Sequence, residues 1–422
     1  MIKTFIDSFT KISYNSEVIY KQRLAEIMRQ FFIKNLQLIA VNTGHFTNDF
    51  YMNVIPPILF AFSSSLGLTL TQQSMIAFVI TIGGSLLQPV VGYLLDKIGK
   101  SVYLIVGIVW ISLIMSIAGL ITNYYLLLIV TGLASIASSI YHPLGSSIAI
   151  NLSRGSRGKS LSIFMTIGGF ASTFTPMITI PIVSEFGLKY LAFLMIPGFL
   201  VAYFLKFAQI DKIKCRVASD KEKKKKKKVS NNKMKCLSFL VCMSVIKIIL
   251  ARIMIIFGVQ LMIMKGISVI PAGIILSAHL FLRSVGTLSG GYLSDKFGEK
   301  RIMVIFSILS FGIYTIIVFT HGLSVIIGII FFGYTLNGTS TAHITITHNI
   351  LPENVNLGTG IIMGLSSTIA GFSILIFGKF ADIYGLMDIA QVMASISLIP
   401  VFISLFISKK YENITVKPVL VQ

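Results

Sequence analysis

One short string that occurs twice constrains this chain more than any other feature. Gly92-Tyr-Leu-Leu-Asp-Lys-Ile-Gly-Lys100 returns as Gly291-Tyr-Leu-Ser-Asp-Lys-Phe-Gly-Glu-Lys300. Each copy follows one apolar run of about twenty residues and precedes another, and such a run is long enough to cross a bilayer as a helix. We therefore predict that each copy is a tight turn between two membrane helices, and that the chain consists of two related halves.

The composition supports a membrane protein. Hydrophobic residues make up 55% of the 422 residues and charged residues only 12%, whereas about a quarter of an average soluble domain is charged. Twelve apolar runs predict an all-α membrane protein with twelve transmembrane helices in two six-helix bundles. The predicted runs cover residues 36–62, 73–95, 101–121, 124–150, 159–184 and 188–208 in the first bundle, and 236–264, 268–294, 300–320, 323–350, 357–382 and 385–408 in the second.

The positive charge is concentrated on one predicted face. The net charge is +21, and 30 of the 36 Lys and Arg residues fall in the tails, the linker and the loops on the side of the two turns. By the positive-inside rule we expect a protein of the cell membrane with both termini in the cytoplasm. The six consecutive lysines of the linker indicate a solvated segment that can touch anionic lipid, and we predict no nucleic-acid partner. The predicted domains are a tail 1–35, a bundle 36–208, a Lys-rich linker 209–235, a bundle 236–408 and a tail 409–422.

A carboxylate and a histidine share one face of the first predicted helix. Charged side chains inside a membrane are costly, so each is a candidate for function. Asp49 is the carboxylate deep in a predicted span, and His45 lies four residues before it, which places both side chains on one helix face. The pair is therefore a candidate for taking up and releasing a proton. A structural polar network that braces the first helix is the alternative.

Histidines also occupy corresponding places in the fourth and tenth runs. His142 lies between Tyr141 and Pro143, and His343 lies in the tenth run five residues before His348. Two histidines five apart do not share a helix face and no carboxylate adjoins them, so we predict no zinc site. Interior histidines with hydrogen-bond partners are the alternative for each.

Four cations lie within apolar runs of the second half: Lys247, Arg252, Arg283 and Lys379. Arg283 is in the middle of the eighth run, where a guanidinium needs an anionic substrate or a partner from another helix. We favour the anion over a structural pair with Asp49. Lys247, Arg252 and Lys379 are expected to reach the membrane surface by snorkelling. The candidates for substrate contact are Arg283, Asn48, Tyr51, Gln88, His142 and His343.

The repeated turn resembles the signature loop of the major facilitator superfamily of secondary transporters. Four further strings are similar to the fosmidomycin-resistance branch of that superfamily: His45-x-x-Asn48-Asp49, Gln88-Pro89, Tyr141-His142-Pro143, and a basic-Gly-basic turn before Gly168-Gly169. The resemblance implies bundles related by an axis along the membrane normal, a substrate site between them and alternating access by rocking of the halves. Similar members are proton-coupled exporters of small molecules, in one case a phosphonate antibiotic.

The two turns are expected to act as gates on the cytoplasmic side. Their carboxylates can interact with a helix N-terminus or with nearby cations, and so hold that side closed. The predicted gating residues are Gly92, Asp96, Lys97, Gly99, Lys100, Gly291, Asp295, Lys296, Gly298, Arg154 and Arg157.

The function expected from the sequence is secondary active transport, with proton-coupled efflux of a drug or an anionic metabolite. A proton-coupled importer of a sugar, organic acid or other nutrient is the alternative, because small residues other than glycine replace the glycine-rich string of drug antiporters on the fifth helix. An intramembrane enzyme is disfavoured, since the chain has neither an HExxH string nor a nucleotide-binding glycine loop. We expect no cofactor, no metal and a monomer that binds a small molecule, protons and the lipid bilayer.

Overall fold

The computed structural model describes residues 31–152, 157–213, 231–352 and 358–407. Every regular element within these ranges is a helix, as predicted. The N-terminal tail up to residue 30, Arg154, the Lys-rich stretch 214–230 and the tail from residue 408 lie outside the described residues. The predictions made for them stay predictions.

The first half contains six helices or groups of helical segments. They are α1 (31–52, Pro56–Ile58 and Leu59–Leu66), α2 (Leu70–Thr81, the π-helical Ile82–Leu86, and Gln88–Ile98), α3 (Val102–Leu120), α4 (Tyr124–Leu152), α5 (Arg157–Phe186) and α6 (Leu188–Phe207). The second half repeats this order. Its helices are α7 (Asn231–Ile256 and Gly258–Met264), α8 (Val269–Phe297), α9 (Glu299–Phe319), α10 (Leu323–Asn337 and Ser340–Ile350), α11 (the π-helical Gly360–Leu365, then Ser366–Tyr384) and α12 (Leu386–Ser397 and Ile399–Phe406).

Ten of these elements, α3 to α12, are long and apolar enough to cross a membrane. The other two are interrupted. In α1 the helix ends ahead of Pro56 and Pro57, whose missing N–H groups break the ladder of backbone hydrogen bonds. In α2 the apolar part, Leu70–Leu86, changes to π-helix before its end. The predicted spans are thus found as helical elements, while the count of twelve crossings stays a prediction for α1 and α2.

Both repeated turns lie between helices, as predicted. Gly99 follows α2 with a φ of 65° and Gly298 follows α8 with a φ of 90°, a backbone region that favours glycine. Asp96 and Lys97 lie in the last turn of α2. We call the membrane face that carries these two turns the turn face, and the face at Gly67 and Gly385 the opposite face. The gating role of the turns stays a prediction.

The two halves meet along α2 with α11 and α5 with α8. Near the opposite face, a Cβ atom on Gly378 of α11 would lie 2.2 Å from Ser74 Oγ of α2. A Cβ atom on Gly273 of α8 would lie 3.0 Å from Ile180 Cδ1 of α5. Small residues at these crossings let helices approach closely, as is usual in membrane bundles. The halves are therefore in contact near the opposite face.

Candidate substrate cavity and proton site

A cavity of about 660 Å³ lies between the two halves. Its wall is formed by α1, α2 and α5 of the first half and by α7, α8, α10 and α11 of the second. Going from the opposite face towards the turn face, the first residue that lines the cavity is Ala77 on α2 and Ser367 on α11. The cavity thus extends from the middle of the helices towards the turn face.

Polar contacts between the halves close the other end of the cavity. The Asp382 carboxylate at the end of α11 accepts hydrogen bonds from the backbone N–H groups of Leu70 at 2.7 Å and Thr71 at 2.8 Å. It therefore caps the first turn of α2, where backbone donors have no partner within the helix. The Gln260 amide donates to Gln73 across the same boundary at 2.8 Å. The structure is accordingly closed at the opposite face.

A carboxylate and two histidines form a cluster on the first-half wall. His45 Nε2 lies 3.4 Å from one Asp49 oxygen, and His142 Nε2 lies 3.4 Å from the other. His45 Nε2 is also 3.2 Å from His142 Nδ1. The Asn48 amide donates to Asp49 at 2.9 Å. The structure therefore brings together the two predicted proton-coupling residues, Asp49 and His45, and adds His142 from α4.

The surroundings of His45 fix the orientation of its ring. Its Nδ1 lies 2.7 Å from the backbone carbonyl of Phe164, so Nδ1 carries the hydrogen and Nε2 faces Asp49 and His142. The ring stacks on Phe164 with centroids 3.7 Å apart and an angle of 2° between the planes. His45 is 1% exposed, whereas the Asp49 side chain is 19% exposed and lines the cavity. A proton on this cluster can reach the cavity through Asp49.

Gly168 of α5 leaves the space that the cluster occupies, which predicts a sharp effect of adding one methyl group. A Cβ atom at this position would lie 2.4 Å from Asp49 Oδ2 and 2.4 Å from His45 Cε1. We expect Gly168→Ala to push the two side chains apart and to reduce proton-coupled transport strongly, measured as proton flux in proteoliposomes. The neighbouring Gly169→Ala is the matched control, because its Cβ atom would meet Ser284 Oγ at an ordinary 3.5 Å. Equal flux in the two variants would contradict this role of Gly168.

Three cations line the second-half side of the same cavity: Lys247, Arg252 and Arg283. Lys247 Nζ donates to Ser340 at 2.8 Å, and Arg252 donates to Thr81 and Ser367. Within the described ranges, none of the three forms an ion pair with a carboxylate at 4.0 Å or less. The structure thus places Lys247 and Arg252 on the cavity wall rather than at the membrane surface, which corrects the expectation that they snorkel. It also separates Arg283 from Asp49, the structural partner considered for it.

The sequence carries a signal that Lys247 and Arg252 could line the cavity. Lys247 and Arg252 occupy an apolar run with no acidic residue among the ten on either side, the same property that singled out Arg283. A cation without a carboxylate partner in its own membrane helix is costly wherever it lies, so all three are candidates for function on the same ground.

Of the predicted substrate contacts only Arg283 lines this cavity; His142 reaches it through Asp49, and the other four do not line it. Asn48 is buried and bonds Asp49 and Ser138. Tyr51 donates to the Leu194 carbonyl inside the first half, and Gln88 donates to the Gly84 carbonyl at 2.7 Å. His343 is bonded to Ser244 at 2.9 Å. Substrate contact by these four residues stays a prediction.

The cluster has a composition that a metal ion could also use, since one ligand atom each from His45, Asp49 and His142 lies within 4.8 Å of the others. The three groups already contact one another, and His45 and Asp49 are further bonded to Phe164 and Asn48. We interpret them as a hydrogen-bonded proton site. The expectation of no metal stays a prediction.

Comparisons with known proteins agree with this architecture. The chain is 28% identical over 357 residues to the fosmidomycin resistance protein of Escherichia coli, covering 81% of this chain and 86% of that protein. It is 25% identical to the MFS-type transporter YfnC of Bacillus subtilis, covering 86% of this chain and 90% of that protein.

Solved structures share the fold at low sequence identity. A bacterial homologue of the human lysosomal transporter Spinster, in an inward-facing and occupied conformation, superimposes with a TM-score of 0.68 at 15% identity, covering 89% of this chain and 95% of that one. The nucleoside transporter NupG gives a TM-score of 0.70 at 14% identity, covering 88% and 99%.

The family model of the Major Facilitator Superfamily matches residues 41–265 and 237–418, which together span most of the chain. With two related helical halves, a cavity between them and transporters among its relatives, this multi-pass membrane protein belongs to the major facilitator superfamily of secondary transporters and is not an enzyme.

Proposed function

We propose that this chain is a proton-coupled transporter of a small anionic molecule. One observation carries the proposal: a single cavity has Asp49, which contacts His45 and His142, on one wall, and on the other wall three cations that pair with none of the described carboxylates. A cation on the wall of a cavity inside a membrane protein attracts an anion more strongly than a cation in bulk water does, because the surrounding protein has a lower dielectric constant. The cations therefore supply the substrate contacts and the cluster supplies the proton site.

The cluster is suited to proton exchange because both of its states can be stabilised. Ionised Asp49 accepts a hydrogen bond from Asn48 and lies 3.4 Å from each histidine. When a proton binds, the cluster loses one negative charge, or gains one positive charge, beside the cavity. Either change alters how strongly the cavity holds an anion, which is the electrostatic link that coupled transport requires.

Export is the direction we propose first. The relative from Escherichia coli is a resistance protein for fosmidomycin, and efflux is the simplest way for a transporter to give resistance. The positive-inside charge bias assigns the turn face to the cytoplasm, so the cavity would accept its substrate from inside the cell.

Import is a second candidate, and the electrostatics of the cavity favour it. Asp49 and an anionic substrate repel each other, so protonation of the cluster strengthens anion binding, and by reciprocity the anion favours protonation. Proton and anion that bind together travel in the same direction. In a cell whose proton gradient points inward, that coupling drives uptake.

One measurement separates the two candidates. The protein is reconstituted in proteoliposomes that contain a pH dye, and valinomycin with equal potassium on both sides holds the membrane potential at zero. Fosmidomycin, methylphosphonate or succinate is then added outside without an imposed pH gradient. Exchange of the anion for protons makes the interior alkaline, whereas cotransport makes it acidic. We expect an anion-dependent change of one sign that protein-free liposomes lack. No pH change with any of these anions would contradict the proposed function.

A further inference from the structure

Arg252 links the two halves of the protein through two hydroxyl groups. From α7 its Nη1 donates to Thr81 Oγ1 of α2, in the first half, at 2.6 Å. Its Nη2 donates to Ser367 Oγ of α11, in the second half, at 2.9 Å. We call these three side chains the Arg252 clasp.

The two hydroxyl groups are weaker hydrogen-bond acceptors for the Arg252 guanidinium than an oxyanion would be. The side chain is always charged, yet both acceptors are neutral hydroxyl groups, and none of the described carboxylates lies within 4.0 Å of it. An oxyanion that receives two parallel N–H bonds forms a shorter and stronger contact than a hydroxyl does. Since Arg252 lines the cavity, an anion that enters from the turn face can reach it and compete for its donors.

The clasp lies where the two contacting helices change their winding. Thr81 is the last residue before the π-helical Ile82–Leu86 of α2, and Ser367 follows closely after the π-helical Gly360–Leu365 of α11. Short π-helical segments are often found at functional sites and mark places where a helix deforms. The clasp therefore joins two helices close to the points where each can bend.

The clasp also adjoins the region in which the halves are closed. The rings of Phe78 of α2 and Phe372 of α11 pack against each other with centroids 4.8 Å apart and an angle of 58° between their planes. A Cβ atom on Gly371 would lie 3.6 Å from Arg252 Nη1 and 3.5 Å from Phe78. Opening of the opposite face separates α2 from α11 and so has to break the bond between Arg252 and Thr81.

We propose that Arg252 is an oxyanion-binding subsite whose occupation releases Thr81 and thereby frees the halves to separate at the opposite face. The ligand class is a carboxylate, phosphate or phosphonate group, and this part rests on the proposed function. In the empty protein the guanidinium holds α2 against α11. In the loaded protein the oxyanion takes over the donor that Thr81 had used.

Thr81→Val tests the release step, because valine keeps the shape of threonine and removes the acceptor. Ser65 and His321 are exposed at the opposite face and belong to different halves. Spin labels on cysteines at these two positions, in protein reconstituted in nanodiscs, give a distance distribution that reports opening of the opposite face. Without anion, we expect the ratio of open to closed molecules to rise roughly tenfold in Thr81→Val, as for the loss of one charge-assisted hydrogen bond. Thr166→Val, which removes a hydroxyl from the same cavity, is the control and should match the wild type.

Binding of methylphosphonate and inorganic phosphate, measured by calorimetry, tests the subsite. We expect Arg252→Lys to weaken binding by about tenfold or more, since lysine lacks the planar fork of donors. Thr81→Val should bind as tightly as the wild type or more tightly, because a competitor has been removed, and either anion should open the wild type.

Three results would overturn the proposal. A distance distribution in Thr81→Val equal to that of the wild type would show that the clasp does not hold the halves. Weaker anion binding in Thr81→Val would make Thr81 a static part of the site. Thr81→Val could also open the opposite face while the wild type binds neither anion. The clasp would then hold the halves together without being an anion site, and the proposed anionic substrate would be contradicted independently of the clasp.

Discussion

Asp49→Asn is expected to abolish proton-coupled transport while the protein stays folded and still binds its substrate. Asparagine has almost the same shape and can keep the contacts that Asp49 makes with Asn48, His45 and His142, but it does not exchange a proton. Proton flux in proteoliposomes should fall to the level of protein-free liposomes. Substrate binding by calorimetry should remain, because the cavity cations are unchanged.

Asp211→Asn is the matched control for this experiment. The Asp211 carboxylate accepts a hydrogen bond from Lys206 at 2.5 Å on the turn face, and this bond lowers the pKa of Asp211. The substitution removes the same charge as Asp49→Asn but lies away from the cavity, so transport should be unchanged. Flux in Asp49→Asn equal to that of the wild type would reduce Asp49 to a brace of the first helix, the alternative that the sequence left open.

Gly378→Val is expected to prevent closure of the opposite face and to stop transport. A Cβ atom at Gly378 would lie 2.2 Å from Ser74 Oγ and 2.7 Å from the Leu70 backbone carbonyl, closer than side chains are found in proteins. The backbone of α2 can make room only by moving away from α11, which also breaks the bonds from Leu70 and Thr71 to Asp382. Spin labels at positions 65 and 321 should then report the open distance alone.

Gly312→Val on α9 controls for the change in side chain. A Cβ atom at Gly312 has nothing within 4 Å, and the residue lies in a regular α-helix away from the contact of α2 with α11, so the variant should close and transport as the wild type does. Both variants should elute as single species in detergent, which separates a locked conformation from misfolding. A closed distance in Gly378→Val would mean that α2 and α11 do not have to touch during the transport cycle.

The relation between Asp49 and its histidines shows how far the sequence alone could go. His45 and Asp49 are four residues apart on one helix, so their contact follows from helix geometry. His142 belongs to another helix, 97 residues from His45 along the chain. Its arrival beside Asp49 depends on the packing of α1 against α4. The contact between His45 and Asp49 can therefore be predicted from one helix, whereas the cluster of three depends on packing between helices.

The contacts of Arg252 are even less predictable from the sequence than those of His142. Its bond to Thr81 spans 171 residues and crosses from one half to the other, so the contact depends on both the packing and the conformation of the halves. The sequence indicated only that a cation lies within an apolar run. The expectation of snorkelling was wrong because the depth and direction of a side chain in a bundle are set by neighbouring helices.

The sequence by itself determined the membrane class, the two related halves and the positions of the two turns. Each depends on a short segment: an apolar run long enough to cross a bilayer, or a glycine that permits a positive φ after a helix. Tertiary structure alone decided which polar side chains share the cavity and which face is closed. Those features depend on how helices distant in sequence approach one another, and no local pattern of residues specifies that approach.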